Sequence, residues 1–261
     1  MSRQTPDIPS GFDRRAFLRT AVVGGAAAVA GLAIAPLLTG TAAQAYPWTG
    51  TLQQGSTGPD VTELQIRVGG WAADSATKTY VTVDGDFGPA TAAAVKRFQT
   101  AYGLSATGVV DAGTQTKLNA LESTDGSTLH FDWSEFVDHV SGNFEGGKVD
   151  AATVKEGVRR LMYRLEAIRV KIGNKPMTVT SGFRSVAHNA TIPGAATNSM
   201  HLYGVAADLV VSGVSNKTIY QKAETSGFSG LEAYTEDHQH VDLRIEYPYG
   251  DQAWWWQSGT V

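Results

Sequence analysis

The chain has 261 residues, enough for one or two domains, and carries 21 basic and 25 acidic side chains for a net charge of −4. That balance offers no broad basic field, so no nucleic acid partner is expected. With no cysteine there is no disulfide, no thiolate metal site and no cysteine nucleophile, and any metal must be held by His, Asp and Glu.

The first 45 residues read as an export signal. Asp13-Arg14-Arg15-Ala16-Phe17-Leu18-Arg19 is a paired-arginine segment, an uncharged apolar run follows from Ala21 to Leu38, and Ala43-Gln44-Ala45 has the small residues a signal peptidase reads. The run is about long enough to span a bilayer, but its Ala and Gly content and the cleavage-like site favour a cleaved twin-arginine signal. Cleavage after Ala45 leaves 216 residues with a net charge near −6 and no stable membrane span. The expected localisation is secreted, by the twin-arginine route.

Residues 46–122 pattern as three short helices. Asp60 with Glu63 three positions on suggests a capping box and a helix starting near Val61. A second helix starts at Pro89 and carries Val95, Phe98 and Tyr102 at helical spacing, with Gly103 suited to its C-terminal cap. Asp111 is the N-cap of a third, with Leu118 and Leu121 as apolar contacts. The stretches VDGDFGPAT and VVDAGTQT echo each other, each placing Val-Asp shortly before a Thr near a helix start. The set Leu64-Gln65, DGDFGPAT, Phe98-Gln99, Gly103-Leu104 and GVVDAGT resembles the peptidoglycan-binding domain of wall hydrolases. The resemblance implies a small all-α three-helix domain that docks on peptidoglycan; taken one by one, its Asp and Gln residues read as caps and loop hydrogen bonders.

Residues 123–128 have linker composition, and a second domain is expected over 129–261. Val154, Val158, Leu161, Met162, Leu165 and Ile168 form one face of a helix from about 151 to 172, with Arg159, Arg160, Arg164 and Arg169 mostly off that stripe. Strands are expected near 177–180, 202–211 and 239–245, with a helix over 218–226. This is an α+β domain with a small antiparallel sheet.

Two stretches carry the chemistry. In SMHLYGVAADLVV, His201 and Asp208 stand among small and apolar residues, where an ionised carboxylate needs exposure, a cation or a metal. In TEDHQHVDLR, His238 and His240 are two apart and share one face of a strand. Two imidazoles and a carboxylate with an open position suit catalytic zinc. Spacing alone leaves a second possibility, a hydrogen-bonded core network of His201, Asp208 and His240 with Arg184. His130, His139 and His188 read as surface or structural residues.

SGFRS (181–185), His188-Asn189, SMHLYGVAADL (199–209) and DHQHVDLR (237–244) occur in an order that resembles the zinc D-alanyl-D-alanine peptidases, cell-wall carboxypeptidases and related endopeptidases. The resemblance implies Zn2+ held by His201, Asp208 and His240, Asp237 as general base, His238 as the extra histidine of an HxH branch, and Arg184 as the arginine of SGxR. Many relatives carry Glu where Asp237 stands, and Glu236 is its rival. On this reading Zn2+ activates water, Asp237 relays its proton to the leaving amine, His238 stabilises the oxyanion and Arg184 grips a carboxylate. Ser199 and Tyr234 are further substrate-contact candidates, Ser199 being equally suited to turning the loop. Trp254-Trp255-Trp256 suits either core packing or a sugar platform. The expected function is removal of D-Ala from stem peptides ending in D-Ala-D-Ala; the alternatives are cleavage inside the stem or cross-bridge, and wall binding without catalysis.

Overall fold

The computed structural model describes residues 45–234, 238–246 and 253–258, without side chains at 233, 234 and 256–258. Apart from Ala45, the expected export signal falls outside the described residues.

Three helices, α1 (Pro59–Val68), α2 (Pro89–Ala101) and α3 (Ala112–Asn119), build the N-terminal part. The capping box expected at Asp60 does not form. Pro59 opens α1 behind Gly58, while Asp60 accepts from Thr49 N at 2.8 Å, Thr49 Oγ1 at 2.7 Å and the Tyr46 hydroxyl at 3.0 Å. Tethering the preceding segment uses the oxygens that would otherwise have capped the helix. At α3 the cap forms as expected, Asp111 accepting from Thr114 N. The echo between the two loops has a physical basis in their glutamines. Gln65 Oε1 accepts from Asp84 N and Gly85 N while its Nε2 donates to Asp84 Oδ1 and Thr91 Oγ1. Gln99 repeats the scheme, accepting from Gly108 N and donating to Val109 O and Thr114 Oγ1. Each glutamine satisfies the backbone of the loop that starts the next helix.

Residues 123–128 form a tight turn. Ser123 N donates to Ser127 O at 2.8 Å, Glu122 bridges to Thr128, and Ser127 and Thr128 are buried.

The C-terminal part packs α4 (Ala151–Lys171) and α6 (Asn216–Ala223) against a five-stranded sheet; one turn of helix, α5 (Val186–Asn189), follows the first strand. The strands are β1 (Thr178–Ser181), β2 (Ala206–Val210), β3 (Gly230–Tyr234), β4 (Gln239–Asp242) and β5 (Trp254–Ser258), in the order β1-β2-β4-β3-β5. The first four pair antiparallel, but β5 pairs parallel with β3, so the sheet is mixed rather than antiparallel throughout. The three tryptophans lie on that added strand. Trp255 packs against the core and donates from Nε1 to Phe228 O at 3.2 Å, whereas Trp254 is 60% exposed. Two of the expected strands are shorter than the pattern suggested. Residues Met200–Tyr203 form a 3-10 turn that stops at Gly204, which takes a left-handed φ of 72°. A side chain there would meet Val154 O at 2.6 Å, so only glycine lets this turn sit on α4.

The apolar face of α4 behaves as patterned: Leu161, Met162, Leu165 and Ile168 are all 0% exposed, each worth about 1.5–3 kcal/mol on burial. Its arginine face is not left to solvent. Tyr163 and Ala167 join the core of the N-terminal helices, Arg159 pairs with Glu63 of α1, and Arg164 is buried against Glu246 and Gly227 O. Arg67, with a fully buried side chain, bonds Glu63 at 2.5 Å and Glu122 at 2.7 Å. Lys171 Nζ reaches Gly70 O at 3.1 Å and Thr225 O at 2.9 Å. Two faces of one helix therefore serve two cores, and residues 41–261 form one compact unit.

Candidate metal centre

Adjacent antiparallel strands bring the site together. Asp208 of β2 stands opposite His240 of β4, and the 3-10 turn ahead of β2 delivers His201. One donor atom from each of His201, Asp208 and His240 lies within 4.8 Å of the others. His240 Nδ1 is 2.9 Å and His201 Nε2 3.4 Å from Asp208 Oδ1, and the two imidazole nitrogens are 3.3 Å apart.

The outward nitrogens of both histidines are committed elsewhere. His201 Nδ1–H donates to Gly182 O at 2.6 Å, which leaves Nε2 to face the cluster. His240 Nε2–H donates to Asp242 Oδ2 at 3.2 Å, which leaves Nδ1. Asp242 is fully buried and held in turn by Arg244, from N at 3.0 Å, Nε at 3.0 Å and Nη2 at 2.6 Å. Fixing a metal-binding imidazole through its second nitrogen is the usual device of histidine metal sites. Two glycines make room for these supports. A side chain at Gly182 would meet the Phe136 Cα at 2.5 Å, and one at Gly230 would meet the Asp242 Oδ2 at 2.1 Å.

The charge states suit a cation. Burial disfavours ionisation of Asp208, but His201 and His240 beside it hold its carboxyl well below the usual range. Burial lowers the pKa of His201, against the pull of Asp208. His240 experiences the same burial but is pushed up to about 9 by hydrogen bonds to Asp208 and Asp242; it holds the proton that a cation must displace. Two imidazole nitrogens and one carboxylate, buried on one side and facing a cleft of about 900 Å³ on the other, fit a zinc-type ion with an open coordination position.

The remaining expected residues fall as follows. His238 precedes β4, half-buried, with Nε2 3.6 Å from Asp208 Oδ1. Arg184 lies on the cleft wall; its Nη2 donates to Ser199 Oγ at 3.3 Å and its backbone N to His201 O at 3.1 Å. Ser199 also accepts from His201 N, capping the turn that carries the histidine. Tyr234 ends β3, with its side chain outside the described residues, and Asp237 and Glu236 lie outside them altogether. His130 pairs with Glu166 and His188 with Asp138, away from the cluster. Sequence reasoning missed Gly182, Gly230, Asp242 and Arg244. Asp242 carried a legible signal, since it follows His240 by two residues on one strand and so shares its face.

Both parts of the chain are similar to known proteins. Residues 129–242 match the family model described as Peptidase M15, and residues 57–118 match one described as "Putative peptidoglycan binding domain". The chain is 40% identical over 242 residues to the zinc D-Ala-D-Ala carboxypeptidase of Streptomyces albus G, covering 86% of this chain and 91% of that protein. Among solved structures, the N-terminal domain of SleB is 36% identical over 26% of this chain and 86% of that domain, with a TM-score of 0.22. The chain belongs to the M15 family of peptidases, with a peptidoglycan-binding type module ahead of the peptidase domain.

Proposed function

We propose that the protein is an exported zinc carboxypeptidase that removes the terminal D-Ala of peptidoglycan stem peptides, held on the wall by its N-terminal helices. The observation that carries this reading is the His201–Asp208–His240 cluster at the base of a cleft whose wall bears Arg184. The named activity of the Streptomyces relative supports the substrate. Among the described residues no helix is long and apolar enough to cross a membrane.

His201, Asp208 and His240 hold the zinc, which when bound polarises a carbonyl and makes water nucleophilic near neutral pH. The chain's own residues do the rest. Arg184 pairs with the free C-terminal carboxylate through two parallel hydrogen bonds and sets the scissile amide over the cluster. Asp237 accepts the proton of the attacking water and passes it to the leaving amine. His238 donates to the oxygen on which charge develops. Ser199 and Tyr234 contact the substrate beside these groups.

A second reading, cleavage inside the stem or cross-bridge, uses the same residues, and a cleft of about 900 Å³ has room for chain beyond the scissile bond. Mass spectrometry of purified muropeptides separates the two. Loss of a single alanine supports the carboxypeptidase, and larger fragments support the endopeptidase. Hydrolysis that survives both chelation and Asp237→Ala would overturn the mechanism. Sedimentation with isolated wall, without amine release and without copurifying zinc, would reduce the protein to a wall binder.

A further inference from the structure

The segment that carries Arg184 is anchored at every step. Four consecutive backbone N–H groups each have a partner: Phe183 N donates to Phe136 O at 2.8 Å, Arg184 N to His201 O at 3.1 Å and Val186 N to Gly146 O at 2.8 Å. The fourth, Ser185 N, donates instead to a side chain, Asp138 Oδ2, at 2.7 Å. Asp138 is 0% exposed. Its Oδ2 also takes the His188 Nδ1–H at 2.9 Å, and its Oδ1 accepts from Val140 N at 2.9 Å and Ser141 N at 2.8 Å. Among the described residues no Lys or Arg pairs with it, and burying a carboxylate in that setting is costly. Burial alone would raise its pKa, yet these four donors hold it well below the usual carboxylate range.

We infer that Asp138 is a positioning residue for Arg184: it ties the segment around 138–146 to the peptide group directly after the arginine and so aims the guanidinium across the cleft. The inference rests on the carboxylate-gripping role given to Arg184 above. The lever is long. The tip of an arginine moves about 1 Å for a tilt of roughly 10° at its Cα, enough to spoil the paired geometry of two parallel hydrogen bonds to a carboxylate and so weaken substrate binding. The brace works from outside the metal cluster. Asp138 makes no hydrogen bond to His201, Asp208 or His240; the same segment does touch His201, through Gly182 O and Arg184 N, so zinc content is the control that separates an effect on the arginine from one on the metal ligand. Asp138→Asn keeps the size but turns an N–H2 toward donors that need an acceptor.

The test is a double-mutant cycle on release of D-Ala from a peptide ending in D-Ala-D-Ala, using the full zinc-loaded chain. Asp138→Asn should raise KM about tenfold with kcat within about twofold, the loss of one charge-assisted contact in register. Its zinc content should match the wild type. In an Arg184→Ala background the same change should cost nothing further. His188→Gln removes one donor at the open end of the network and provides a milder variant that folds if Asp138→Asn does not; its KM should rise about threefold on the same scale, again only while Arg184 is present. Penalties that stay undiminished in the Arg184→Ala background would overturn the inference. A wild type that releases no D-Ala would overturn the proposed function, and the inference with it.

Discussion

A single methyl group placed behind the metal cluster should weaken zinc binding without touching a ligand. At Gly230 on β3, an added Cβ would lie 2.1 Å from Asp242 Oδ2, 2.2 Å from Oδ1 and 2.3 Å from Cγ. Ordinary contact begins near 3.4 Å, so Gly230→Ala must push the carboxylate by about 1 Å or bend the strand, an overpacking cost of about 1–3 kcal/mol. The displaced carboxylate cannot keep both its 3.2 Å bond from His240 Nε2 and its 2.6 Å bond from Arg244 Nη2. His240 then loses the partner that orients its ring, and loss of such partners typically weakens metal affinity 10–100-fold, about 1.4–2.7 kcal/mol. Competition between the protein and a chromophoric chelator measures the affinity, and a thermal melt measures the stability. Asp242→Asn provides the companion without added bulk, since it keeps one acceptor but removes the charge that Arg244 neutralises. A Gly230→Ala protein that folds and binds zinc as tightly as the wild type would refute the reasoning that Asp242 holds His240 in place.

Arg184→Lys keeps the charge but loses the planar fork, so KM for an acid-terminated peptide should rise about tenfold or more while zinc affinity stays unchanged. Glu63→Ala removes one of the two acids bonded to the buried Arg67 and the nearer of the two beside Arg159, and should cost about 1–3 kcal/mol in denaturant unfolding. Because the two parts share α4, that unfolding should remain a single transition by both fluorescence and circular dichroism. Asp138 has a folded pKa below its ordinary 3.8, so its contribution is complete above about pH 4 and is lost as the pH falls further toward the folded value. Melting temperatures followed from pH 6 to pH 3 should accordingly drop less for Asp138→Asn than for the wild type.

The helices were legible because their signals are local: Pro89 and Asp111 mark starts within a few residues, and the stripe on α4 repeats with the helical period. What lay hidden was long-range. The pattern of α4 distinguishes one apolar face but does not say that Arg159 and Arg164 meet acids far along the chain, Glu63 and Glu246. Strand β5 carries consecutive tryptophans with no alternation to mark it, and its parallel pairing with β3 depends on a crossover that no local signal encodes. At the site, His201, Asp208 and His240 stood out because polar residues in apolar runs need partners. The supports did not stand out, because a carbonyl at Gly182 and the space at Gly230 leave no mark beyond the glycine itself. The strand expected from Leu202 starts only at Ala206, because the cap at Ser199 and the left-handed Gly204 make Met200–Tyr203 a turn.

The most direct test of the account is anomalous diffraction at the zinc edge from crystals of the zinc-loaded protein. The account predicts one strong peak about 2.0–2.2 Å from His201 Nε2, Asp208 Oδ1 and His240 Nδ1, with Asp237 facing its open side. Active protein whose peak lies elsewhere, or that shows none at this cluster, would contradict it.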